Sequence, residues 1–161
     1  MKHPMMYETS HLSEMDIYLF KQGTHTKLYN KLGSHFIVHE GKAGVHFAVW
    51  APNAQSVSVR GDFNDYDTQS HPLKLRADES GIWEGFIEGV EQGLTYKYHI
   101  VSKFHNIIHD KSDPFGFYAE EPPKSASKVW SLEGYGWGDT QWMENRYRNN
   151  AHDAPISVYE M

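Results

Sequence analysis

No cysteine occurs anywhere in these 161 residues. That removes disulfide frameworks and thiolate metal sites from consideration and is compatible with a cytoplasmic protein. Long apolar runs are equally scarce: the longest, residues 47–51, is far too short to span a bilayer. The opening MKHPMMYETSHLSEMD has no apolar h-region, so neither a membrane segment nor an export signal is expected. Positive charge is the minority, 15 Lys and Arg against 21 Asp and Glu, and the formal net charge of -6 argues against nucleic acid or acidic lipid as a partner. Absent too are the glycine-rich dinucleotide and phosphate loops and the GxSxG nucleophile turn, so no cofactor is expected. Eleven histidines invite a metal reading, with His35 and His39, and His105 and His109, each four apart. That spacing brings imidazoles together only on a helix, and both pairs fall in segments that read as strand or loop. Solvated histidines and no metal are expected.

What is present is organised around FAVWAPNAQSVSVRGDFNDYD, Phe47 to Asp67. Val45, Phe47 and Val49 point one way while His46, Ala48 and Trp50 point the other, and Val57 and Val59 resume the two-residue rhythm of a half-buried strand. Between them, Pro52 lacks an N–H for a ladder and Asn53 tolerates tight turns, so the chain reverses or crosses over there. Gly61 to Asp67 then forms a loop. Its Asn64 and carboxylates suit hydroxyl groups and the Tyr66 ring suits the C–H face of a sugar, so the surface fits a neutral polyol better than a phosphate. The same Asp and Asn residues are also ordinary turn formers, and Phe63 has the character of a residue that packs inward.

The remaining chain is mostly β. Strands are expected at 73–76, 82–88, 94–101, 104–109 and 127–130, separated by turn chemistry such as Asp78-Glu79-Ser80-Gly81. Tyr96, Tyr98 and Ile100 share one face of their strand, and Thr95, Lys97 and His99 the other. A short helix begins after Ser13, with Asp16 completing a capping box and Gly23 stopping it, and a second short turn covers 26–33. Many short strands with no long helix between them predict an all-β fold, an antiparallel β-sandwich with short flanking helices. Domains are expected at 1–40 (a helical preface), 41–131 (the sandwich) and 132–161. The last holds a helix after Asp139 and an apolar strand, Ile156 to Met161, that looks cut from a longer protein. Residues before Ser13 and after Ala151 have no evident element to bury against and are expected to be mobile.

DIYLFKQGTHTKLYNKLGSH, GVHFAVWAPNAQSVSVRGDFNDYD, SGIWEGFIEG, YKYHI, KSDPFGFYAE and DAPISVYEM together resemble the amino-terminal region of bacterial 1,4-α-glucan (glycogen) branching enzymes. The sandwich of that region is a family 48 carbohydrate-binding module. The resemblance implies an immunoglobulin-like (E-set) sandwich and an α-glucan partner such as glycogen or a malto-oligosaccharide. It also implies a second partner, a (β/α)8 barrel of the glycoside hydrolase family 13 type. That barrel would carry the catalytic carboxylates, so no catalytic residue is expected within these residues, and Ile156 to Met161 would be its first strand. Sugar-facing positions carried over are Tyr66, where relatives usually have Trp, together with Lys97 and Asn64. Trp83 is a fourth candidate, as a platform or as a core residue of its strand. The turn at Lys103 to Asn106 lacks the Asp-Gly of relatives, and Trp50 and Pro52 would face the barrel. The alternative is a module that buttresses the barrel without binding glucan.

Overall fold

In the computed structural model, residues 3–7, 9–105, 107–149 and 151–160 are described; Asn106 of the expected turn and Met161 of the expected last strand lie outside them. The chain forms two units, Met1–Ser131 and Leu132–Met161. The first is two antiparallel sheets face to face, as the alternating strands predict. One sheet runs β1 (Met5–Met6), β6 (Ile82–Glu88), β3 (Lys42–Trp50), β2 (Gly33–His39), with β5 (Lys74–Leu75) also on β6. The other runs β4 (Ala54–Gly61), β7 (Thr95–Ser102), β10 (Ser127–Lys128), β9 (Tyr118–Ala119), with β8 (Ile108–Lys111) also on β7. The chain passes from the first sheet to the second at Ala51–Asn53, closed by the Ala54 N–H donating to the Ala51 carbonyl at 3.1 Å. The proline-marked break is therefore a crossover between layers and not a hairpin.

Val45, Phe47, Val49, Val57, Val59, Tyr96 and Tyr98 are buried between the sheets with Phe63 and Trp83. Phe47 meets the Tyr96 ring edge-on at 5.1 Å. The second face of β3 is also covered at His46 and Ala48, contrary to the half-exposed strand predicted by alternation, while Trp50 at its end stays exposed. Ala48 and Ile82 lie beneath Leu12, Leu32 and Ile17 of α1 (Glu14–Gln22). That helix is built as its sequence predicts. The Ser13 hydroxyl accepts from the Asp16 N–H at 3.2 Å, the Asp16 carboxylate accepts from the Ser13 N–H at 2.8 Å, and Gly23 closes the end at φ +69°.

The expected preface of 1–40 is divided. Gly33–His39 is a strand paired with β3 along its whole length, and Met5–Met6, expected to lack a partner, pairs with Ile87 and Phe86 of β6. Leu28–Asn30 is a single 3-10 turn within the short turn expected at 26–33. In the second unit the helix α2 (Thr140–Asn149) starts after Asp139, while residues 156–160 form no strand. A strand needs a neighbour to hydrogen-bond, and among the described residues of this unit there is none. No helix among the described residues is long and apolar enough to cross a membrane.

Candidate functional site

The outer face of the second sheet carries an open groove of about 760 Å³. Its base is the β4–β7 pair, where register sets Arg60 opposite Lys97 and Gly61 opposite Tyr96. The backbones close tightly at this point: a Cβ on Gly61 would sit 2.1 Å from the Thr95 carbonyl oxygen, so only glycine fits. From Gly61 the chain turns through Asp62–Asn64, and Phe63 drops into the core. Asp65 and Tyr66 both take left-handed backbone, φ +52° and +57°. Aspartate tolerates that conformation, whereas for tyrosine it costs about 1–2 kcal/mol, and the loop must hold Tyr66 there.

Asn64 does the holding. Its Oδ1 accepts from the Gly61 N–H at 2.8 Å, and its Nδ2 lies 3.0 Å from the Val59 carbonyl and 2.8 Å from His71 Nδ1. Asn64 is therefore spent inside the loop and offers no amide to a sugar, which corrects the sugar-facing role expected for it. Asn64→Ala is expected to cost about 2 kcal/mol by orphaning these backbone groups, read as a lowered urea midpoint without ligand.

The held ring stands in the groove. The Tyr66 hydroxyl donates to Thr95 Oγ1, and Thr95 passes its own hydroxyl hydrogen to Asp62 Oδ2 at 2.7 Å; the same carboxylate oxygen accepts the Thr95 N–H at 2.7 Å. The Arg60 guanidinium lies 5.4 Å from the Tyr66 ring centre and bonds Asp110 at 2.8 Å. Lys97 Nζ reaches Ser125 Oγ at 2.9 Å, and Glu120 and Lys124 line the same groove. Three cations, Arg60, Lys97 and Lys124, face three carboxylates, Asp62, Asp110 and Glu120. That balance fits a neutral, hydroxyl-rich ligand and gives a phosphate no net attraction.

Of the four expected site residues, the fold brings Tyr66 and Lys97 together and removes Asn64 and Trp83. Trp83 lies between the sheets at 8% exposure and donates its indole N–H to the Ala51 carbonyl at 3.0 Å. As a platform it is corrected to core. Arg60, Thr95 and Ser125 escaped the sequence reading, whereas Asp62 is one of the loop carboxylates expected to suit hydroxyl groups. Alternation puts Arg60 and Thr95 on outward faces, but nothing in the sequence says that those faces are neighbours. Burial pushes the Asp113 carboxyl up, yet that group lies sealed under Tyr96 and Tyr98 rather than in the groove. Among the described residues no three His, Asp or Glu side chains are grouped to hold a metal ion. His35, expected to be solvated, instead bonds the Leu32 carbonyl at 2.9 Å.

A family model, carbohydrate-binding module 48 (isoamylase N-terminal domain), matches residues 31–116. The 1,4-alpha-glucan branching enzyme GlgB of Albidiferax ferrireducens is 55% identical over 149 residues, 92% of this chain and 23% of its own length. The enzyme of the same name from Aquifex aeolicus is 53% identical over 97% of this chain and 24% of its own. The chain thus spans about a quarter of the length of these curated relatives. Among solved structures, the maltotriose complex of PulA from Klebsiella pneumoniae matches 63% of this chain and 11% of its own, at 25% identity and a TM-score of 0.50.

Proposed function

Because the chain belongs to the carbohydrate-binding module 48 family across residues 31–116, we propose that it binds α-glucan in the outer groove, with the Tyr66 ring and the Lys97 ammonium as its principal contacts. The juxtaposition of those two side chains in one charge-balanced groove carries the reading. Arg60 sits against the ring in place of ligand, while Lys97 and Asp110 offer donors and acceptors for sugar hydroxyls. The branching enzymes among its relatives and the maltotriose-bound neighbour support glycogen or malto-oligosaccharide as the ligand.

The same proposal makes these residues the non-catalytic amino-terminal region of a cytoplasmic glycogen branching enzyme. Cleavage of an α-1,4 link and transfer to a 6-hydroxyl would then belong to a partner barrel, preceded by the helix of residues 132–161. A buttressing role has its own observation at a different place. Trp50 is 55% exposed, with Phe20 edge-on at 5.9 Å, and fits an interface with that barrel.

Titration of the isotope-labelled chain with maltotriose tests the binding reading. One ring contact contributes on the order of 1 kcal/mol, so affinity in the millimolar range is expected, with amide shifts at Tyr66, Thr95 and Lys97. Tyr66→Ala is expected to weaken binding at least fivefold. Shifts confined to the Trp50 end, unchanged in the variant, would leave only the buttress.

A further inference from the structure

The strand register continues the same outer face beyond the groove. Thr95, which anchors the Tyr66 hydroxyl, pairs with Lys128 of β10, and Lys128 pairs with Tyr118 of β9. Residues paired across antiparallel strands point to the same side of a sheet. Thr95, Lys128 and Tyr118 therefore form one row running away from Tyr66, two strand spacings or about 10 Å long.

At its far end the row repeats the arrangement at its near end. Lys128 Nζ lies 4.9 Å from the Tyr118 ring centre, as Arg60 lies against Tyr66, and the Trp130 ring packs on Tyr118 at 5.0 Å. Tyr118 is 47% exposed on a two-residue edge strand. It opens into a second hollow of about 380 Å³, and Glu120, Pro123 and Lys124 line both hollows, so the two adjoin along a shared wall. Tyr118, Lys128 and Trp130 all lie outside the residues 31–116 that match the family.

We propose that Tyr118, Lys128 and Trp130 form a second α-glucan subsite that takes the glucose units adjoining those held at Tyr66 and Lys97. The aromatic pair supplies an apolar surface for a sugar ring. Lys128, on its flexible stem, leaves the Tyr118 face to reach hydroxyls, and Glu120 and Glu121 accept from others. A chain lying along the row crosses β7, β10 and β9 and contacts both aromatic centres at once. Affinity therefore depends on chain length.

The subsite rests on the glucan-binding reading, and a comparison of maltotriose with maltoheptaose separates the two. Tyr118→Ala is expected to weaken maltoheptaose three- to tenfold, one aromatic contact's worth, and to leave maltotriose unchanged. Retained maltotriose binding also reports a folded variant. Comparing variant with wild type for the same sugar cancels the larger number of positions a longer chain can occupy. In the unaltered chain, maltoheptaose should shift the Tyr118 and Lys128 amides and the Trp130 indole N–H, whereas maltotriose should move only those near Tyr66 and Lys97. An equal affinity of wild type and Tyr118→Ala for maltoheptaose, or no shift at Trp130, would overturn the subsite and leave the groove standing. No binding of either sugar would overturn both.

Discussion

Asp113→Ala is expected to lower the unfolding free energy by about 3–5 kcal/mol, a large part of what a domain of this size possesses. The carboxylate is the acceptor for two hydroxyls in the interior, Tyr96 at 2.6 Å and Tyr98 at 3.1 Å, and for the Phe115 N–H at 2.8 Å. Both tyrosines are fully buried, so truncation would leave their hydroxyls without water as a substitute. Burial and the adjoining Asp113 push both phenols well above their ordinary range, which keeps them protonated as donors. The Asp113 N–H also holds Ser127 Oγ at 2.8 Å, tying β10 to the β8–β9 connection next to Ser125 and the groove wall. Asp113→Asn keeps a carbonyl acceptor and should cost only about 1–2 kcal/mol.

The pH dependence of the wild type against Asp113→Asn follows from the raised carboxyl. A folded pKa above the ordinary 3.8 means that the native state binds the proton more tightly than the unfolded chain does. The charge therefore weighs against the fold above the folded value, and the penalty fades as pH falls to the ordinary one. The asparagine variant should gain on the wild type as pH rises through that window. Urea midpoints measured across the window check the sign; a wild-type advantage that widens with rising pH would contradict the assignment.

Trp83→Ala is expected to cost about 3–5 kcal/mol, as removal of a buried indole does, with loss of maltotriose binding only as a consequence of unfolding. The side chain fills space between the sheets beside its cross-strand partner Val49, and its N–H holds the Ala51 carbonyl at the crossover. Trp83→Phe keeps most of the volume and leaves that carbonyl with the Ala54 N–H, so about 1 kcal/mol is expected. Equilibrium denaturation followed by far-ultraviolet circular dichroism distinguishes this from a platform role. A solvent-facing ring would cost affinity and almost no stability.

Trp83 and Asn64 show where reading a chain in one dimension stops. A tryptophan in a strand serves equally as platform or as filler, because its aromatic surface is the same in both roles. An asparagine in a turn meets backbone and sugar with the same amide. Tyr66 and Lys97 were legible through the family resemblance; that they share a groove was not.

What these residues determined by themselves is local. The Ser13–Asp16 box, the Gly23 stop, the break at Pro52 and the inward rhythm of Val57, Val59, Tyr96 and Tyr98 all follow from hydrogen-bonding capacity and side-chain alternation within a few positions. Only tertiary structure decided that β3 is covered on both faces along most of its length, that Gly33–His39 joins the sheet, and that Thr95, Lys128 and Tyr118 fall in one row beside Tyr66. The reason is physical. Alternation assigns a side to each residue along its own strand, but the order and register of strands are chosen by packing and ladder bonds between segments far apart in sequence, and a site made across strands exists only once that choice is made.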